Sequence, residues 1–292
     1  MKKKVIIFLI FCLVLAVNGY CLDWKAMHEA ADKENLNLAQ AKFEADGSGN
    51  LDDLYEAALV CLNQHRNDEA ENIFNKIIEF DPQYYPPKWG IAEVMRRQHQ
   101  LKEAQILSEE VIKGHPDFSP AYITLAYLEY LKLNLNQAVN LAGVVIEQGR
   151  KNVDLSNFSR AFLIYGGAKG LIAHRGGPLS KILNGTAVLP ALKKAQKLQP
   201  DSAAVLLGLG SFYVLAPGFG GGDLDKGMEL LQKAIKVDPK LADAYARLAQ
   251  AYKIKGDPAK YMEYLNKALE IDPGNELALD TQSQKCKYAC GP

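Results

Sequence analysis

Alanine and proline recur along this chain at a spacing of thirty-four residues, and that period constrains the fold more than any other feature. Ala58, Ala92 and Ala126 form one set, Ala70, Ala104 and Ala138 a second, and Ala234 and Ala268 a third. Pro82 and Pro116 keep the same step, as do Pro239 and Pro273. Several residue types sharing one long period mark a stacked array, in which each unit needs its neighbours to bury an apolar face. The unit is visible in NDEAENIFNKIIEFDP (67–82), DLDKGMELLQKAIKVDP (223–239) and DPAKYMEYLNKALEIDP (257–273). Each holds apolar residues at helical spacing and closes on a proline, which cannot extend a helix. Alanine, leucine, lysine and glutamine are plentiful and valine–threonine alternation is rare, which favours helix over sheet.

This pattern resembles the tetratricopeptide repeat, a helix–turn–helix of thirty-four residues. The family's small residue at repeat position eight is Ala58, Ala92, Ala126, Gly210 and Ala249 here. The one at position twenty is Ala70, Ala104, Ala138 and Gly227, with Tyr261 departing from the rule. Ala195, Ala234 and Ala268 match position twenty-seven, and Pro82, Pro116, Pro200, Pro239 and Pro273 match position thirty-two. The resemblance implies an all-α fold, a right-handed superhelix of about six stacked helix-turn-helix units over residues 51–276. Repeats are expected at 51–84, 85–118, 119–152, a fourth from near 153, then 203–241 and 242–275.

Repeats four and five are longer than the period, by about sixteen and five residues. In repeat four, SNFSRAFLIYGGAKGLIAHR reads as a long first helix and GGPLSKILNG as a connector. In repeat five the extra residues are the glycine run of APGFGGGDLDKG (216–227). A phosphate-binding loop needs lysine and then serine or threonine after its last glycine. Here Asp223 and Leu224 follow, and an aspartate at that helix start repels phosphate. Asp223 and Asp257 share one repeat position and read as helix N-caps, with Pro258 at the first helical position. No nucleotide is expected. Both enlarged interhelical loops should emerge on one edge, bringing Arg175, Lys181 and Phe219 together as a second candidate contact surface.

The chain opens MKKKVIIFLIFCLVLAVNGYC. Three lysines precede the apolar run Val5–Val17, too short for the ~20 residues of a bilayer span. This describes a secretory signal peptide over residues 1–21. Periplasmic or secreted localisation follows as an expectation, with no transmembrane span after its removal. Lipidation at Cys21 is the lesser reading, because Tyr20 stands where a small residue is wanted. A helical segment and loop at 22–50, the superhelix at 51–276 and a tail at 277–292 complete the organisation. Thirty-four basic residues balance thirty-four acidic ones, so no strong field attracts nucleic acid. Cys61 lies in an apolar helical pattern and reads as buried. Cys286 and Cys290 either bridge in an oxidising compartment or remain free thiols; a straight helix would aim them poorly for a bridge.

Candidate chemistry is sparse. FEADGSGNLDDLY (43–55) resembles a calcium loop, but Glu44 occupies its first ligand position and Tyr55 stands where the bidentate glutamate belongs. The same residues suit a turn and helix start. His28, His65, His99, His115 and His174 show no metal-ligand spacing, and no G-x-S-x-G or H-E-x-x-H is present. Catalysis and cofactors have no support. MRRQH (95–99) lacks a larger basic patch. Lys193, Lys194 and Lys197 mark a solvated helix face.

The resemblance implies that first helices line a concave groove where a protein or peptide partner binds. Carried over, the groove holds Tyr55, Leu59, Leu62 and Asn63 from repeat one, and Trp89, Glu93, Arg96 and Arg97 from repeat two. Ile123, Tyr127, Tyr130 and Leu131 come from repeat three, and Leu207, Ser211, Gln250 and Lys253 from repeats five and six. Tyr55, Trp89, Arg96, Arg97, Ile123, Tyr127 and Tyr130 are the expected partner-binding residues, since aromatic and arginine side chains dominate hot spots. The alternative is that several of them pack beneath the helix at residues 23–45. Chaperone-binding members of the family use lysine and asparagine where Tyr55 and Leu59 stand, so that subclass is disfavoured. The expected function is a non-enzymatic exported scaffold that binds through groove or looped edge. A second reading is an accessory protein of a tripartite ATP-independent periplasmic transporter, which a deep apolar central pocket would favour over an open aromatic groove.

Overall fold

The computed structural model describes residues 23–32 and 51–290. The signal-peptide reading and the first half of the calcium-loop reading lie outside them. Among the described residues there are fourteen α-helices and no strand. α1 is Trp24–Ala31. Six hairpins follow: α2 Leu51–Asn63 with α3 Asn67–Phe80, α4 Pro86–Arg97 with α5 Leu101–Gly114, and α6 Ser119–Leu131 with α7 Leu135–Asn152. The others are α8 Leu155–Arg175 with α9 Pro178–Leu198, α10 Ala203–Leu215 with α11 Leu224–Val237, and α12 Ala242–Lys255 with α13 Pro258–Ile271. α14, Glu276–Ser283, covers the last hairpin. Each helix packs on the next, and first helices of adjacent hairpins also touch.

The small residues explain the close pairing. Ala58, Ala92, Ala126, Ala249, Ala70, Ala104, Ala138, Ala195, Ala234 and Ala268 are all fully buried. Gly210 of α10 and Gly227 of α11 meet backbone to side: a Cβ on Gly227 would lie 3.0 Å from the Gly210 carbonyl oxygen. Asp223 and Asp257 cap α11 and α13, accepting from the amides of Lys226 at 3.1 Å and Lys260 at 3.0 Å. These bonds satisfy donors that the first turn leaves open.

Repeat four corrects one sequence expectation. GGPLSKILNG is not an enlarged loop; its turn is Gly176–Gly177, and Pro178 starts a twenty-one-residue helix. The extra residues lengthen both helices of the hairpin instead. Gly166 and Gly170 of α8 admit Val188 of α9 at close range, so the long pair is held by backbone proximity that the local sequence does not announce. Repeat five does carry a connector at 216–223, turned through a short 3₁₀ segment, Gly218–Gly220. Gly221 has φ 93°, and a Cβ on Gly222 would collide with the Ala216 carbonyl. The glycines serve the turn itself.

The array bends round until its ends meet. His65 and His99, thirty-four residues apart, hold left-handed backbone at φ 59° and 62°. They hold the repeat position that Gly256, φ 79°, holds at the end of α12 in the last hairpin. Each reaches a C-terminal turn 173 residues further on. His65 Nε2 lies 2.9 Å from Asp238, and His99 Nε2 lies 2.8 Å from Asp272. His99 Nδ1 also faces Glu276 at 3.1 Å. Gly274 leaves room for the His99 ring, which a Cβ there would strike at 2.4 Å. Leu133, at the third such turn with φ 67°, packs with Leu277, Tyr288 and Ala289.

Candidate functional site

Closure frames a central cavity of about 1760 Å³ lined from every repeat. One wall is built by α4 and α6. Glu93 is buried and takes both hydrogens of Arg96 in a fork, at 2.9 and 2.8 Å. Arg97 Nε donates to the same carboxylate at 3.1 Å, and its Nη1 to the Leu62 carbonyl at 2.6 Å. Thr124 donates to Glu93 at 3.1 Å and accepts from the Trp89 indole at 2.9 Å. Burial alone would raise the Glu93 carboxyl. The charge and hydrogen bonds of Arg96, with Arg97 and Arg160 behind them, outweigh it and hold Glu93 well below the usual carboxylate range. One carboxylate therefore faces three guanidinium groups. Among the described residues Arg160 has no ion pair or hydrogen bond of its own.

Beyond this cluster runs an aromatic ladder. Arg96 lies 4.9 Å over the Tyr127 ring. Tyr127 stacks on Tyr130 at 6.2 Å, and Tyr130 on Tyr288 of the tail at 6.2 Å. Tyr288 is fixed by its hydroxyl, which donates to the Leu131 carbonyl at 2.7 Å. Asp243, Arg247 and Glu276 also line the cavity, the Tyr127 hydroxyl donating to Asp243 at 3.4 Å, and Leu163, Ile164, Leu207 and Leu215 add apolar lining. Gln250 and Lys253 fall outside the cavity: Gln250 is buried against Thr281, and Lys253 lies over Tyr261.

Of the seven expected partner-binding residues, Arg96, Arg97, Ile123, Tyr127 and Tyr130 line the cavity. Tyr55 and Trp89 do not, which corrects that expectation. They lie beneath α1, where His28 Nε2 meets the Tyr55 hydroxyl at 3.0 Å and the His28 ring stacks obliquely on Trp89 at 5.1 Å. Trp24 and Phe118 complete the cluster at 5.2 Å. Amphipathic α1 supplies the apolar cover that repeat one lacks. Arg160, Asp243, Glu276 and Tyr288 were missed. The irregular length of repeat four hides the position of Arg160, and only the closure of the ring brings the other three to the site.

The tail reaches the cavity because it is not helical. Gln284, Cys286 and Ala289 all have positive φ, and the resulting bends allow Cys286 and Cys290 to be joined, with Cα atoms 5.2 Å apart. Among the described residues no cluster of His, Cys, Asp or Glu could hold a metal. No described helix is long and apolar enough to cross a membrane.

The family model of the tetratricopeptide repeat matches residues 242–275. No curated protein matches the chain. Among solved structures, a chain of the APC/C hetero-tetramer Cut9–Hcn1 is 14% identical with a TM-score of 0.52, over 85% of this chain and 51% of that one. This chain therefore spans about half the length of that relative, and the likeness is one of fold. YrrB, a repeat protein with an unusual peptide-binding site, is 21% identical over 72% of this chain and 97% of its own, with a TM-score of 0.37. PilF of Pseudomonas aeruginosa is 13% identical over 80% and 97%, at 0.46. The last hairpin is a tetratricopeptide repeat by the family match, and the hairpins before it share its small-residue packing.

Proposed function

We propose that the protein is an exported, non-enzymatic scaffold that holds an extended peptide segment of a partner protein in its central cavity. Tetratricopeptide repeats typically serve as protein-binding scaffolds. The observation that carries the reading is the ladder of Arg96, Tyr127, Tyr130 and Tyr288 along one wall. Rigid aromatic faces bury area against a bound chain at low entropic cost. The cavity is larger than the ~300–1,000 Å³ of ordinary small-molecule pockets. It offers charges of both signs, Arg97 and Arg160 against Asp243 and Glu276, as a chain of mixed side chains requires. The lysines before Val5 and the short apolar run support export.

The test is a peptide library displayed against the full chain, with the selected peptide titrated by fluorescence anisotropy. Tyr127→Ala with Tyr130→Ala should weaken binding by about tenfold or more, with helical content unchanged by circular dichroism. Selected peptides that bind the double variant equally well, or a library that yields none, would refute the reading. Cell fractionation tests export separately.

A further inference from the structure

Residues 155–200 carry seven lysines and arginines and not one aspartate or glutamate, in a chain whose thirty-four basic and thirty-four acidic residues balance only when taken together. That stretch is the long hairpin α8–α9. The structure turns the composition into a surface. Along α9, Leu179, Ile182 and Leu183, and ten residues further on Lys193, Lys194 and Lys197, keep spacings of three and four that place both groups on one helix face, and all are exposed. They form one stripe about 27 Å long, apolar in its first half and cationic in its second. Leu179 is 70% exposed, Ile182 64% and Leu183 65%. Phe219, at the tip of the glycine connector of repeat five, is 98% exposed. Phe219, Ile182 and Lys181 all contribute to the lining of the central cavity. The insertions of repeats four and five thus both present exposed apolar side chains, and on α9 these are followed by cations.

We propose that this edge docks on an anionic lipid bilayer, with Leu179, Ile182, Leu183 and Phe219 entering the acyl boundary and Lys193, Lys194 and Lys197 at the headgroups. Contiguous exposed apolar side chains mark an interaction surface. An apolar segment joined to a run of cations is the pattern of helices that lie in the membrane interface. Charge complementarity selects the occupant: over the forty-six residues of this hairpin there is no acid to pair with a cation on a partner, and all seven charged side chains are basic. The tips are a helix start and a connector, both highly exposed, which a fluid bilayer accepts without a matching pocket. The inference is independent of what the cavity holds.

The experiment uses the full chain carrying Phe219→Trp or Ile182→Trp. The two native tryptophans, Trp24 and Trp89, are buried, so a new one at the tip reports locally, whatever the N-terminal apolar run does. Phosphatidylcholine vesicles with and without phosphatidylglycerol, containing brominated acyl chains, supply the quencher. The expected result is quenching of the new tryptophan in anionic vesicles, much reduced in neutral ones and by high salt. K193E with K194E and K197E should lower the apparent partition coefficient at least about tenfold. Leu183→Asp in the Phe219→Trp background should remove quenching while leaving thermal unfolding unchanged, since Leu183 is exposed. Absence of quenching, quenching indifferent to charge reversal, or burial of the tip by an acidic protein but not by vesicles would each overturn the proposal.

Discussion

His28 and His99 are both pinned by the fold, and they depend on pH in opposite senses. His28 is buried with one hydroxyl partner, and desolvation lowers its pKa to about 3. Its unfolded form binds a proton near pH 6.5, which the folded form refuses. The stability that neutral His28 allows is therefore full above that value and is lost progressively as pH falls towards 3. The only two tryptophans of the chain, Trp24 and Trp89, both belong to this cluster. Acidification should shift tryptophan emission to the red before global unfolding, and emission that holds steady until the helices melt would show that α1 does not depend on neutral His28. At His99 burial again disfavours the charge, but hydrogen bonds to Asp272 and Glu276 outweigh it and the pKa is raised. With a carboxylate at each ring nitrogen, only the imidazolium donates to both. Its contribution is complete below pH 6.5 and fades as pH rises through the raised value. His99→Gln should cost about 1 kcal/mol at pH 6, a partly exposed ion pair being worth little more. The difference from the native chain in thermal unfolding should shrink towards pH 8 to 9, and a constant difference would contradict the linkage.

At the scale of the element, the thirty-four-residue period carries the helix hairpins because it records contact between backbones. Wherever α2 meets α3, or α12 meets α13, a small residue had to stand, and proline had to follow the second helix. Repeat five shows the tightest form of this rule. An added methyl at Gly210 would meet Leu231 at 2.8 Å and the Gly227 carbonyl at 3.1 Å. Gly210→Ala should destabilise the chain by roughly 1–3 kcal/mol, the usual cost of overpacking, measured by urea unfolding. Gly143→Ala is the control, because nothing lies within 4 Å of a Cβ there, and it should be neutral or slightly stabilising. Repeat four was illegible for the complementary reason. Asn184 and Gly185 within GGPLSKILNG imitate a loop, and the reason they are helical, Val188 set against the glycines of α8, lies in another element. Likewise Tyr55 and Trp89 sit at groove positions by count. What removes them from the groove is α1, a segment outside the repeat, whose docking no periodicity reports. Arg96, Tyr127 and Tyr130 were legible because the groove register follows directly from the period.

The whole molecule differs from an open solenoid in that its first three interhelical turns touch its last three C-terminal turns. Two histidines in left-handed backbone stand where glycine is the low-strain choice, each at a cost of the order of 1 kcal/mol. Their side chains recover this only across the ring, at Asp238 and Asp272. Such closure keeps the cavity formed without ligand, and a peptide then needs to order less of the protein on binding. Replacing both residues, His65→Gly with His99→Gly, relieves the backbone strain and removes the latch together, so local hairpin stability should be preserved while the ends part. By small-angle scattering the radius of gyration, about 19 Å for a compact chain of this length, should rise by roughly a tenth. Peptide affinity should fall, because the cavity is no longer pre-formed. If the radius stays unchanged and the affinity is native, closure is held by Tyr288 and Leu133 at the third turn alone. The disulfide-bent tail would then be the element that closes the ring, and Tyr288→Ala would be the variant that opens it.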